Sequence, residues 1–385
     1  MTRLAAVILA AGLSSRLGEF KPLAGLGGET LLARTAGLFR EAGMEDIVAV
    51  AGHHASKAMA EAARLDIGAV TNETYADGMF TSVLAGLRAL APRCGENSGP
   101  ERIAGIFILP VDIPLVRPHT LRLLRERLTS TKSAVLHPVF AGKRGHPPLI
   151  AARFLPEILA WDGKNGLAGA FLALEARHGA AETPVADENI HFDVDTQADL
   201  DEARRRFSRR DIPTPQEALA LLDLHKAGER GRGHARGVAD AALALARALN
   251  AKGAQLDLAL TEAAALLHDI AKGQPGHEAA GAALLDALGF DRAARIVEAH
   301  RDIAPEDAPQ LTERELVYFA DKLVQGSART SVAARFQQKL DLFAHDAGAA
   351  TAIRRRLANA QHMQARIEAA ANAPLHCLVP GTESA

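Results

Sequence analysis

Hydrophobic positions along the chain follow two regimes. In the first, short apolar runs alternate with helical spacing. Leu4 to Leu9 reads as a fully buried strand, and Ile47 to Val50, Ile106 to Leu109 and Ala134 to Leu136 read as further strands. Ser82 to Leu90 and Leu121 to Leu128 carry the 3.6-residue period, and Thr30 stands as a cap before Leu31-Leu32-Ala33. This alternation predicts an α/β fold, a three-layer, mostly parallel sheet. The second regime begins near Pro215. Val238, Ala242, Leu245 and Leu249 repeat at helical spacing, as do Leu256, Leu260, Ala263, Leu267 and Ile270, with no strand-like run among them. A separate all-α domain is expected there. The join is marked by Arg204-Arg205-Arg206, Arg209-Arg210 and Pro213-Thr214-Pro215, and Thr214-Pro215-Gln216-Glu217 has the form of a helix start. The expected organisation is a first domain over 1–207, a linker over 208–214, a helical domain over 215–372 and a mobile tail over 373–385.

Polar chemistry in the first regime collects where strands end. Leu9 to Leu23 leaves a buried strand as a loop of small residues. Ala10, Ala11 and Gly12 let backbone N–H groups approach a phosphate, Ser14 and Ser15 add hydroxyl donors, and Arg16 and Lys21 add positive charge. A Walker loop would need Lys-Ser/Thr after Gly18, where Glu19-Phe20 stands, and the third glycine of the dinucleotide fingerprint is missing. Asp112 lies just past another strand in Leu109-Pro110-Val111-Asp112-Ile113-Pro114, placed to hold Mg²⁺ against a triphosphate or to cap a turn. Asp193 and Asp195 share a direction if Phe192 to Asp195 is a strand, and Thr196 with Asp199 has the form of a capping box.

These motifs together resemble the nucleotidylyltransferases of the molybdenum cofactor and their sugar-nucleotide relatives, over nearly all of Met1 to Leu200. The carrying pattern is LAAGxSxRxGxxK, with Arg16, Gly18 and Lys21 at its signature positions. The resemblance implies charge stabilisation by Arg16 and Lys21 and Mg²⁺ on Asp112 and Asp195. It implies a nucleotide cradle from Ala10, Ala11, Gly12, Ser14 and Gly18, and a base-reading segment carrying Asn72, Gly78 and Ser82. It also implies an acceptor loop in Gly142 to Pro148, where Arg144 and His146 stand either toward an anionic acceptor or in solvent. Trp161 to Gly166 departs from the relatives' Gly-Asp-x-Gly segment. The Ala11-Gly12 form, with Pro22 after Lys21, points to CTP rather than GTP. The implied acceptor is a phosphorylated small molecule such as molybdopterin, with a molybdoenzyme or its chaperone as a further partner. The rival readings are a sugar- or alditol-phosphate nucleotidyltransferase and a nucleotide-binding regulatory protein with an inactive domain.

In the helical regime, histidines and aspartates interrupt apolar stripes. His234 lies four residues before Val238, His268-Asp269 breaks Leu266 to Lys272, His300 lies four after Ile296, and Asp321 stands between Val317 and Val324. An unpaired buried carboxylate costs several kcal/mol, roughly, so it calls for a cation, and imidazole with carboxylate suits Fe, Mn or Zn. The set His234…His268-Asp269…Asp321 resembles the HD phosphohydrolase superfamily, with the match running from about Pro215 to Ala371. That resemblance implies one or two divalent transition metals, with His277 and His300 on a second one. Lys272 is then read either on a substrate phosphate or as a helix-end lysine.

Composition narrows the picture further. A chain of 385 residues with 48% hydrophobic content supports two packed domains. Formal net charge of -2 and 4% aromatic residues argue against a nucleic-acid partner. Cys94 and Cys377 are too few for a zinc ribbon or disulfide scaffold, which suits a reducing cytoplasm, and no apolar run reaches membrane-spanning length.

Overall fold

In the computed structural model the chain forms two compact units, Met1–Arg209 and Arg210–Ala385. Residues 2–13, 16–95, 99, 102–300, 302–304 and 310–382 are described. The first unit is built on an eight-stranded, mostly parallel sheet. Its strands are β1 (Arg3–Ala10), β2 (Asp46–Ala51), β3 (Gly68–Thr71), β4 (Ile103–Pro110), β5 (Val135–Phe140), β6 (Lys143–Arg144), β7 (Leu149–Ala151) and β8 (Ala180–Pro184). The order is β8-β5-β7-β4-β1-β2-β3, with β6 on β5. β1 runs parallel to β2 on one side and to β4 on the other, with Leu9 opposite both Val50 and Pro110. Its continuous apolar character follows from that position, since Leu4 to Ala10 are all buried.

The strand period of two separates the layers. Val7, Leu9, Val50, Ile106 and Ile108 pack with Val83 and Leu87 of the helix Met79–Leu90 and with Phe171 and Leu174 of the helix Gly166–His178. Phe107 faces the other way, its ring 6.0 Å from Phe39 of the helix Leu31–Glu41. Gly86 lets its helix lie close on the sheet: a Cβ there would come 2.4 Å from Val7 Cγ1. β3, β6, β7 and β8 were not legible as strands. They are short, and β3, β6 and β8 are poor in buried apolar positions. The Thr30 cap and the Thr196–Asp199 capping box form as expected. Phe192 to Asp195 is not a strand, so the shared direction expected of Asp193 and Asp195 does not arise from strand geometry.

The second unit is helical. Its framework is Pro215–Leu224, Gly228–Asn250, Leu258–Leu267, His277–Ala287, Asp291–Glu298, Glu313–Lys322, Val332–Leu342 and Ala347–Ala371. Val238, Leu245, Ala263, Leu267, Leu285, Phe290, Tyr318 and Phe319 are buried in it. One expectation is corrected. A two-stranded antiparallel hairpin, Val324–Gln325 with Ala328–Arg329, turns through Gly326-Ser327 where no strand was expected. The segment after residue 373 carries the short helix Leu375–Leu378. Leu375 and Val379 are buried, and the Leu375 N–H donates to Glu368 Oε1 at 2.7 Å. Two apolar anchors are enough to dock a short segment on its own unit. Residues 383–385 of that segment lie outside the described residues. No described helix is long and apolar enough to cross a membrane.

Candidate active sites

The first site lies where the strand order reverses. From β1 the chain builds outward through β2 and β3, then returns to place β4 on the other side of β1. The loops leaving β1 and β4 therefore diverge, and a crevice opens at their carboxyl ends. That crevice is a cleft of 320 Å³ lined by Ala10, Gly12, Arg16, Lys21, Asp112 and Asp195, among others. Lys21 opens a short 3-10 turn, Lys21–Leu23, that Pro22 stiffens. Its ammonium donates to Asp112 Oδ2 at 3.0 Å and to Asp195 Oδ1 at 2.6 Å. Arg16 Nη2 lies 2.6 Å from Asp195 Oδ2. The Val194 N–H donates to the Asp112 carbonyl at 2.8 Å, which ties the Asp195 segment to the end of β4. Burial alone would lower the Lys21 pKa, but Asp195 and Asp112 outweigh it and raise it. Lys21 is thus a fixed cation between two carboxylates that remain about a quarter exposed. Those oxygen donors fit a hard cation such as Mg²⁺ supplied with a nucleotide.

The other expected residues of this unit divide. Ala10 and Gly12 line the cleft, Ala11 is buried behind it, and Ser14 lies outside the described residues. Gly18 takes φ of 80° in the turn before Lys21 and is not among the lining residues. Asn72 and Ser82 differ from expectation. Both are buried and their polar atoms meet: Asn72 Nδ2 donates to Ser82 Oγ at 2.9 Å and to Thr81 Oγ1 at 2.8 Å, while its Oδ1 accepts from the Thr74 N–H at 3.1 Å. A carboxamide satisfied this way locks the turn into the helix Met79–Leu90, which Gly78 opens with φ of 115°. Gly52 was missed. A Cβ on it would lie 2.7 Å from both Ala11 and Tyr75, so it lets the turn after β2 pack between the loop leaving β1 and the Asn72 segment. Arg144 is held by Glu175 and Glu182 at 2.9 and 2.8 Å, which spends its charge inside the unit. His146 keeps Nδ1 buried with no hydrogen-bond partner; burial lowers its pKa, against a pull from Asp112.

The second site gathers residues from five segments. His234 comes from the helix Gly228–Asn250, and His268-Asp269 from the end of Leu258–Leu267. His277 opens His277–Ala287, His300 follows Asp291–Glu298, and Asp321 lies in Glu313–Lys322. Asp269 is the centre. Its Oδ2 lies 3.9 Å from His234 Nε2 and 3.5 Å from His268 Nε2, while its Oδ1 lies 3.4 Å from His277 Nε2 and 3.6 Å from His300 Nε2. Asp321 Oδ1 adds to the first side, 3.2 Å from His234 Nε2. Two donor sets, His234–His268–Asp269 and Asp269–His277–His300, therefore share one carboxylate, each with its donor atoms within 4.8 Å.

The backbone aims three of these rings. Nδ1–H of His234 donates to the Gly326 carbonyl at 3.1 Å, that of His268 to Ala265 at 2.8 Å, and that of His300 to Val297 at 2.6 Å. A carbonyl can only accept, so Nδ1 of each ring carries a proton and Nε2 is turned toward Asp269. His268 Nε2 is buried and has no hydrogen-bond partner, and burial pushes its pKa down to about 4. Burial works against ionisation of Asp269 and Asp321, yet both stay well below the usual carboxylate range. His300, His268 and Lys272 outweigh it at Asp269, and Lys322, His234 and Arg335 at Asp321. Imidazoles gathered around ionised carboxylates form a donor set that fits divalent transition metals. Lys272, expected at a phosphate or a helix end, lies 2.5 Å from Asp269 Oδ2 with its side chain mostly exposed. Arg335, Lys322 and the Gly326 carbonyl were missed; the Gly-Ser pair between Gln325 and Ala328 was the available hairpin signal.

Comparison with known proteins agrees with this division. Residues 6–180 match the family described as the MobA-like NTP transferase domain, and residues 231–325 match the HD domain. A bifunctional IPC transferase and DIPP synthase of Rubrobacter xylanophilus is 43% identical over 94 residues, 23% of this chain and 22% of that protein. The chain thus spans less than a quarter of that relative's length. An uncharacterized protein of Methanocaldococcus jannaschii is 31% identical over 134 residues, 30% of this chain and 79% of that protein. The solved structure of Rv0371c from Mycobacterium tuberculosis, at 28% identity and a TM-score of 0.43, covers 53% of this chain and 98% of its own.

Proposed function

We propose that this chain, a MobA-like NTP transferase domain followed by an HD domain, carries two activities: Mg²⁺-dependent transfer of a nucleotidyl group from an NTP to a phosphorylated acceptor, and hydrolysis of a phosphoester. The first reading rests on the convergence of Arg16, Lys21, Asp112 and Asp195 on one cleft at the reversal of strand order. Lys21 and Arg16 turn from their carboxylates to the entering triphosphate and hold the charge that builds on it. Asp112 and Asp195 would hold the Mg²⁺, which would supply charge neutralisation on the phosphoryl oxygens. Ala10, Ala11 and Gly12 present backbone to the phosphates without side chains in the way. The acceptor phosphate attacks the α-phosphorus in line, and pyrophosphate leaves; no protein nucleophile is required.

The nucleotide is read as CTP from Ala11-Gly12 and Pro22, and the acceptor as molybdopterin, whose dinucleotide form would pass to a molybdoenzyme or its chaperone. A sugar- or alditol-phosphate acceptor is the second reading, favoured by the departure at Trp161 to Gly166. There Asn165 takes a left-handed φ of 57° before the helix Gly166–His178. Incubation with Mg²⁺, each NTP and molybdopterin, with product identification, tests the first reading. A cytosine dinucleotide and pyrophosphate are expected. Product with sugar phosphates and none with molybdopterin would favour the second.

The hydrolase reading rests on the sharing of Asp269 between two donor sets. Asp269 would serve both donor sets, with His234, His268 and Asp321 holding one divalent ion and His277 and His300 a second. Such ions supply an acidified water and neutralise phosphate charge. The backbone carbonyls behind His234, His268 and His300 hold the ring tautomers for that task. Elemental analysis and a phosphatase panel on the full chain test it. Absence of bound metal after reconstitution with Fe, Mn or Zn would move this unit to a regulatory role.

A further inference from the structure

Beside Asp269 the helical unit opens into a cleft of 820 Å³, larger than one phosphate requires. Five cationic side chains line it, Lys226, Arg230, Lys272, Arg335 and Lys339, against the single carboxylate of Asp269. Two of the five have their charge engaged, Lys272 on Asp269 and Arg335 on Asp321. Among the described residues, Lys226, Arg230 and Lys339 have no carboxylate partner. Burial, with Arg335 and Lys322 nearby, pushes the Lys339 pKa down against a pull from Asp321. Lys226 sits just past the helix Pro215–Leu224 with φ of 56°, where glycine or asparagine is the usual residue. A lysine at that place presents a cation to the cleft at a backbone cost. The lining also carries apolar side chains, Ala235, Leu266 and Ile270, with Leu342 exposed.

We infer that the helical unit acts on an organic di- or polyphosphate, with one phosphate over Asp269 and the next on Arg230, Lys339 and Lys226. This rests on the hydrolase reading above. The apolar side chains take the organic moiety. Water adds OH to the phosphorus over Asp269, the bond from that phosphorus to its bridging oxygen breaks, and the departing oxygen takes the remaining proton. Unpaired cations at a distance from the metal donors contribute to binding rather than to bond cleavage, so they select for the number of phosphates.

The test uses the full chain, metal-loaded, in a Lys21→Ala background that weakens triphosphate binding by the first unit. The substrates are adenosine mono-, di- and triphosphate, and inorganic tripolyphosphate binding is followed by calorimetry. We expect kcat/KM to rise with phosphate number. Arg230→Gln with Lys339→Gln should raise KM for the di- and triphosphate at least about tenfold more than for the monophosphate, and weaken tripolyphosphate binding to match. Lys226→Gly, which suits the local backbone and so keeps the fold, should shift both in the same direction. Equal turnover across the series, with variants indistinguishable from the parent, would overturn the inference and leave the hydrolase reading standing. Tripolyphosphate binding that the variants lose, with no hydrolysis of any compound, would overturn the hydrolase reading and support the polyphosphate cleft.

Discussion

Replacing Lys21 with methionine should move two measurable quantities in opposite directions. Lys21 Nζ lies 3.0 Å from Asp112 and 2.6 Å from Asp195, and both carboxylates are partly exposed. Discounted for solvent, each contact is worth about 1 kcal/mol, and the pair about 2 kcal/mol. Before nucleotide arrives, the ammonium occupies the place a divalent ion would take between these oxygens. Lys21→Met removes that competitor, so Mn²⁺ or Mg²⁺ should bind the nucleotide-free site roughly 30-fold more tightly. The charge that the triphosphate meets changes the other way. Arg16, Lys21, Asp112 and Asp195 sum to zero, and the variant leaves -1. Transfer should therefore fall by about 10²- to 10³-fold, the usual loss for one charge-stabilising donor. Calorimetric titration with Mn²⁺ measures the first effect and pyrophosphate release the second. Lys21→Arg controls for loss of bulk. Unchanged ion affinity together with wild-type transfer would refute the proposed role of Lys21.

Asp269→Ala should empty both donor sets at once, because each uses one of its oxygens, while nucleotidyl transfer persists; elemental analysis beside a transfer assay reads both. His268 stays neutral when folded, with a pKa of about 4 against 6.5. Its contribution to stability is therefore complete above pH 6.5 and is lost as pH falls from 6.5 toward 4, about 3 kcal/mol in all for the metal-free chain. Urea unfolding across that range, compared with His268→Gln, should show a slope the variant lacks, and parallel curves would contradict it. Gly86→Ala should destabilise the first unit by about 1–3 kcal/mol, read as a lowered unfolding midpoint, because its Cβ would meet Val7 at 2.4 Å. In direct competition the intact chain should choose CTP over GTP, and preference for GTP would refute the argument from Ala11.

The sequence by itself determined the two-regime architecture, the central strands and the chemical identity of the candidate centres. A strand buried on both faces must be apolar throughout, so Leu4 to Leu9 and Ile106 to Leu109 were legible, and a helix that buries one face must repeat as Val238, Ala242, Leu245 and Leu249 do. Thr196–Asp199 was readable as a capping box and Thr214–Glu217 as a helix start because such signals span three residues. The edge strands β3, β6 and β8 were not, since pairing there depends on backbone partners supplied by distant segments. Tertiary structure alone decided how the functional residues meet. It brought Lys21 to Asp195 across 174 positions of chain, and it turned Asn72 and Ser82 toward each other. It set Asp269 between four imidazoles, supplied the Gly326 carbonyl behind His234, and left three cations without carboxylate partners around the neighbouring cleft. Each of these turns on distances of a few ångströms between segments far apart in the chain. Local propensity carries no information about such distances, because they are set by the packing of whole elements against one another.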